Sequence, residues 1–142
     1  MILADSGFWI ALCNRRDRCH SLATSALERW SDEGFISTWP VLTEVTHLLN
    51  ARIGVRQTLD FIDAVAQGAC VVAGLSDETL RRMAYLMRRY SNLPMDLADA
   101  SLVLLAEQLG EGRILSTDRR DFSGYRWKNT HPFINLLLQD VD

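Results

Sequence analysis

Short apolar runs alternate with longer segments whose apolar residues recur every three or four positions, and this alternation narrows the fold more than any other feature of the chain. Residues 1–4, 35–39, 69–73 and 113–117 read as strands, and a fifth run at 133–138 is interrupted by Asn135. Between them lie helical patterns. Leu22, Ala26 and Trp30 recur at four-residue spacing behind Ser21, which is expected to be the N-cap. Pro40 suits the first position of a helix carrying Val41, Val45, Leu48 and Leu49 on one stripe. Ser76 precedes Asp77 and Glu78, and Arg88 and Arg89 close the same segment, a polarity that matches the helix macrodipole. Residues 96–109 are apolar nearly all round, as a buried helix would be. Strands alternating with helices predict an α/β layered fold with a mainly parallel sheet.

The chain has 142 residues, with no repeat, low-complexity tract or long linker, so one domain over 1–142 is expected. Its 48% apolar and 23% charged residues are ordinary for a globular protein with its own core. The longest apolar runs fall far short of a membrane span, and Asp5 breaks the first one with no basic residue ahead of it. A cytoplasmic protein without a membrane partner is therefore expected. Cys13, Cys19 and Cys70 have no zinc spacing and an odd number, which reads as reduced thiols.

The acidic residues carry the functional argument. Ligand sites of open α/β folds lie outside the carboxyl ends of the strands. Asp5 directly follows the first strand, and Asp118 follows the fourth in the same way. Asp96 and Asp99 share one face at the start of the most apolar helix, and Glu44 lies early in the helix opened by Pro40. Each has a bland reading: an aspartate after a strand often caps a turn or helix, as Asp96 would, and a helical glutamate is usually solvated. Asp99 is harder to dismiss, because its apolar neighbours imply burial, which is costly for an unpaired carboxylate. Several acids gathered at one end of a sheet would repel one another unless a cation sat among them. Oxygen-only ligands favour magnesium or manganese over zinc.

In order along the chain, four segments resemble the motifs of PIN-domain ribonucleases, specifically the VapC-type toxins of toxin–antitoxin pairs. They are Ile2-Leu3-Ala4-Asp5-Ser6, Thr43-Glu44-Val45, Met95-Asp96-Leu97-Ala98-Asp99 and Ile114-Leu115-Ser116-Thr117-Asp118. The resemblance runs from Ile2 to about Phe122. It implies a three-layer PIN-like α/β fold and hydrolysis of RNA phosphodiesters by a metal-activated water. Asp5, Glu44, Asp99 and Asp118 are implied as metal-site acids with Mg2+ or Mn2+, and Asp96 as an additional acid seen in some relatives. Ser6 is expected to position a carboxylate, a water or a phosphate. Ser116, where relatives often have threonine, is placed among the substrate-binding residues. A cognate antitoxin protein and a homodimer are further implied.

All of the fifteen basic residues except Lys128 are arginine, which suits bidentate phosphate contacts. The clusters nearest the acids, Arg15, Arg16 and Arg18, and Arg119 and Arg120, are the expected RNA-binding groups. His47 is expected to be a partly buried imidazole, and Asp121 to support a loop. Two phosphoryl-chemistry rivals are poor. A receiver-like module wants a basic partner, usually lysine, and Lys128 alone stands near the end. A haloacid-dehalogenase-type phosphatase wants a second aspartate where Gly7 stands. A binding module on the same fold with little nuclease activity is the remaining alternative.

Overall fold

Ile2, Leu3 and Ala4 are fully buried and form β1 (Ile2–Ala4), the central strand of a five-stranded parallel sheet in the computed structural model, which describes residues 1–138. On one side β1 pairs with β2 (Phe35–Thr38), which pairs with β3 (Val71–Ala73). On the other it pairs with β4 (Arg113–Leu115), and β4 with β7 (Ile134–Asn135). The order is therefore β3-β2-β1-β4-β7, with helices flanking the sheet as expected of a PIN-like three-layer fold. The chain winds outward from β1 to β3, then crosses back to β4 on the opposite side. That reversal opens a crevice at the carboxyl ends of β1 and β4, where the main-chain ridges diverge.

Most expected strands are shortened at their ends for local reasons. The run at 35–39 stops at Thr38, whose hydroxyl accepts the Val41 N–H at 3.4 Å and so starts α3 (Trp39–Arg52) with Pro40 in its first turn. The run at 113–117 stops at Leu115, because Ser116 and Thr117 turn toward Asp118, the N-cap of α7 (Arg119–Gly124). The interrupted fifth run keeps two paired residues. Asn135 turns its amide onto Ser116 instead, donating to the Ser116 carbonyl at 2.9 Å and accepting its N–H at 3.2 Å.

Three helices lie outside the segments read as helical, α7 among them. In α1 (Ser6–Cys13) four consecutive residues, Phe8 to Ala11, are buried, so no polar face marks it. The third is α4 (Val55–Ala66). Ser21 is not an N-cap: α2 (His20–Trp30) begins one residue earlier behind Cys19. Ser76 precedes a short 3-10 turn (Asp77–Thr79) without a side-chain cap bond, and α5 (Leu80–Arg89) follows. The apolar helix is as expected. α6 (Leu97–Leu109) buries Ala98, Ala100 and the whole stretch from Ser101 to Ala106, and packs against α3, α5 and β2. A small hairpin of β5 (Arg126–Trp127) and β6 (His131–Pro132) completes the described residues. No helix among them is long and apolar enough to cross a membrane. Cys13, Cys19 and Cys70 are free thiols, and burial pushes the Cys70 thiol up to about 12.

Candidate active site

A cleft of about 270 Å3 opens at the β1–β4 crevice, and six carboxylates line it: Asp5, Glu44, Asp96, Asp99, Asp118 and Asp121. Asp5, only 5% exposed, is held by the helix it starts. Its Oδ1 accepts the Ser6 N–H at 2.8 Å, as an N-cap does, and its Oδ2 accepts the Ser116 hydroxyl at 2.9 Å. The same Ser116 Oγ accepts the Asp118 N–H at 3.0 Å. One hydroxyl thus fixes the two aspartates that follow the two central strands. Asp118 accepts the Asp121 N–H at 2.9 Å and thereby caps α7.

From the opposite wall, Glu44 reaches in from α3 and accepts the Ser6 hydroxyl through Oε1. Asp96 and Asp99 form a capping box at the start of α6: Asp96 Oδ1 accepts the Asp99 N–H at 2.8 Å, and Asp99 Oδ2 accepts the Asp96 N–H at 3.3 Å. Tyr125, fully buried, donates its hydroxyl to Asp99 Oδ2 at 3.3 Å. Three helix N-termini, those of α1, α6 and α7, therefore begin at acids of one cleft, and their N–H ends offset part of its negative charge.

That offset is incomplete. Burial, reinforced by Glu44 and Asp118, raises the Asp5 carboxyl to about 6. Burial together with the Asp96 and Asp5 charges raises Asp99 to about 8. Asp121 rises to about 6 through burial and the adjacent Asp118, and Glu44 rises through burial and the charge of Asp96. Burial leads each of these shifts and the neighbouring carboxylates add to it, so a cation bound among the acids would lower them again. Among the described residues no three carboxylate, imidazole or thiol groups already stand at the spacing of one bound ion. The donor set nonetheless fits one kind of metal, since the cleft offers carboxylate and hydroxyl oxygens, with no sulfur or imidazole. That chemistry suits a hard divalent cation.

No family model matches the sequence. Ribonuclease VapC26 of Mycobacterium tuberculosis is 26% identical over 125 residues, spanning 88% of this chain and 92% of the relative. The crystal structure of VapC20 from the same organism, a toxin that cleaves the sarcin–ricin loop, superposes with a TM-score of 0.76 at 20% identity. That superposition covers 84% of this chain and 92% of VapC20. The chain is thus similar in sequence to a VapC ribonuclease and shares the fold of a VapC toxin. The resemblance of the four motifs is thereby borne out, and the cleft just described sits where those motifs meet.

Of the expected site residues, Asp5, Ser6, Glu44, Asp96, Asp99 and Asp118 all line the cleft. Ser116, expected among the substrate-binding residues, is fully buried beneath Asp5, where its hydroxyl bonds Asp5 and the Asp118 N–H. His47 is exposed, not partly buried. It lines an apolar groove of about 620 Å3 with Trp39 and Leu97, joined to the cleft through Glu44 and Asp96. Arg15 and Arg16 lie in a separate groove, Arg18 and Arg119 beside Thr117 in another, and exposed Arg120 approaches Asp121 at 3.5 Å. Asp121, Arg52 and Tyr125 were not anticipated at the site. Asp121 had a signal, one helical turn after Asp118, and so had Arg52, two turns after Glu44 on the same face of α3, whereas Tyr125 is brought in only by tertiary packing.

Proposed function

We propose that the chain is a metal-dependent endoribonuclease, the toxin of a toxin–antitoxin pair, built as one domain and acting in the cytoplasm. The convergence of six carboxylates on the β1–β4 crevice of a PIN-type fold carries this reading. Asp5, Glu44, Asp99 and Asp118 would hold Mg2+ or Mn2+, with the more exposed Asp96 at the rim. A bound divalent cation lowers the pKa of a coordinated water and offsets charge developing on the phosphoryl group. The chain's own residues prepare that chemistry. Ser6 ties Glu44 to the Asp5 turn, Ser116 locks Asp5 to the Asp118 turn, and Tyr125 steadies Asp99. Such fixed orientation reduces the reorganisation required when the substrate arrives.

A cognate antitoxin and a second copy of the chain complete the proposed assembly. Exposed Trp39 and Leu97, 60% and 44% accessible beside the cleft, support a protein contact there.

The test is cleavage of a panel of transfer and ribosomal RNAs by purified chain free of antitoxin, in magnesium, manganese or chelator, with Asp99→Asn in parallel. Cutting should require the metal and fall on the order of a hundredfold or more in the variant. A folded chain that binds RNA but cuts none of the panel in either metal would favour a binding module instead.

A further inference from the structure

Resting on the ribonuclease reading, a second feature of the molecule concerns how a polyanion reaches a cleft lined by six acids. Arg15 and Arg16 follow the end of α1, Arg52 lies in the last turn of α3, and Arg56 lies in the first turn of α4. All four line one groove of about 550 Å3, whose only acidic lining residue is Asp60. Arg52 also lines the carboxylate cleft, so the two depressions adjoin at this side chain. α1 joins them as well, with Ser6 at the cleft and Cys13 at the groove, a span of about 12 Å for its eight residues.

Among the described residues the four guanidiniums are also unpaired. Arg82 is bound to Glu107, and Arg113 to Glu33 and Glu111. Among the described residues, by contrast, no side chain of Arg15, Arg16, Arg52 or Arg56 makes a hydrogen bond or ion pair within the chain. All four are exposed, and they are gathered in a chain whose formal net charge is −3. Gathering like charges without internal partners costs free energy that an external anion offsets. Planar guanidiniums suit phosphate oxygens bidentately.

We propose that this groove is the RNA-backbone site of the protein, with Arg15, Arg16 and Arg56 holding phosphates to one side of the scissile bond and Arg52 guiding the strand into the acids. A polyanion approaching the carboxylates alone is repelled, and the adjoining positive groove supplies the attraction that delivers it. Adjacency to the cleft through Arg52 favours RNA over an acidic segment of a partner protein as the occupant.

Equilibrium binding of a labelled, mixed-sequence single-stranded oligoribonucleotide, with chelator present to prevent cutting, tests the assignment. The probe is titrated over a range of salt against the full chain, Arg16→Gln/Arg56→Gln, and Arg81→Gln/Arg88→Gln. The last removes equal charge from exposed positions on α5. The groove variant should bind about tenfold more weakly at moderate salt, with the slope of log K against log salt shallower by about 1.4, roughly 0.7 per lost contact. The α5 variant should show neither change, and in magnesium the groove variant should raise KM more than it lowers kcat.

Equal losses in both variants would indicate diffuse attraction and overturn the groove assignment. So would unchanged RNA binding together with lost binding of a poly-glutamate peptide, which would make the groove a protein-docking site. In both cases metal-dependent RNA cutting by the unaltered chain would leave the nuclease reading standing. Absence of both binding and cutting in the unaltered chain would remove that reading and the groove assignment together.

Discussion

Ser116 has no charge and no access to solvent, yet two of the cleft's aspartates depend on its one hydroxyl. Its Oγ donates to Asp5 Oδ2 and accepts the Asp118 N–H, and Asn135 grips its backbone from the next strand. Ser116→Ala leaves a buried carboxylate oxygen and a backbone N–H without this partner, which should cost about 1–3 kcal/mol in urea unfolding. It should also reduce metal-dependent cleavage, because Asp5 is no longer held to the Asp118 turn. Ser116→Thr keeps the hydroxyl and should retain most activity, an outcome that a purely packing role would not require. At this scale the sequence picked out acids that the fold gathers in one cleft but not what holds them. Asp5, Glu44, Asp99 and Asp118 stand in recognisable motifs. The direction of the Ser116 hydroxyl and the approach of Tyr125 arise from contacts 111 and 26 residues apart in the chain.

Each of the elements that meet at the cleft starts or ends there for a local reason, and the tightest approach is at Gly7. A Cβ on Gly7 would fall 1.8 Å from Thr117 Oγ1, so the first turn of α1 and the turn leading to Asp118 pack with no room for a side chain. Gly7→Ala should therefore push the two turns apart. It should destabilise the protein by about 1–3 kcal/mol, as overpacking does, and lower cleavage more than the stability loss alone explains. Chemical unfolding alongside kcat measured well below the unfolding transition separates the two effects. The sequence gives α1 no amphipathic signature because it is wedged in the core. Its existence follows only once Asp5 is seen as the cap of a buried helix. α6 was legible for the opposite reason: thirteen mostly apolar residues behind Asp96 allow little else. The β5–β6 hairpin has two-residue strands and positive φ at Lys128 and Asn129, too little periodicity to register in a sequence pattern.

Across the whole molecule, acids raised by burial and mutual repulsion make stability depend on pH in a direction opposite to ordinary ion-paired carboxylates. Asp5 and Asp121 are raised from near 4 to about 6, and Asp99 to about 8. Between the ordinary value and the raised one the folded state binds more protons than the unfolded chain, so these groups lower stability as pH rises. Their contribution is favourable below about pH 4, declines through pH 6 as Asp5 and Asp121 ionise, and declines further to pH 8 with Asp99. The metal-free protein should accordingly melt at a lower temperature at pH 8 than at pH 5.5. A divalent cation binds the ionised acids and competes with protons, so Mg2+ or Mn2+ should raise Tm more at pH 8 than at pH 5.5. Asp99→Asn separates this from a general pH effect. Removing one of the repelling charges should raise the metal-free Tm at pH 8 while shrinking the stabilisation by metal. Scanning calorimetry of both proteins at the two pH values, with chelator or excess metal, measures all four terms. A metal-induced shift of equal size in the variant would show that the ion binds away from Asp99, while a metal-free Tm unmoved by the substitution would show that the six acids are not in electrostatic conflict. The same repulsion that would weaken the protein in chelator would supply the cleft's affinity for a cation, which is why stability and metal binding should change in opposite directions when one acid is neutralised.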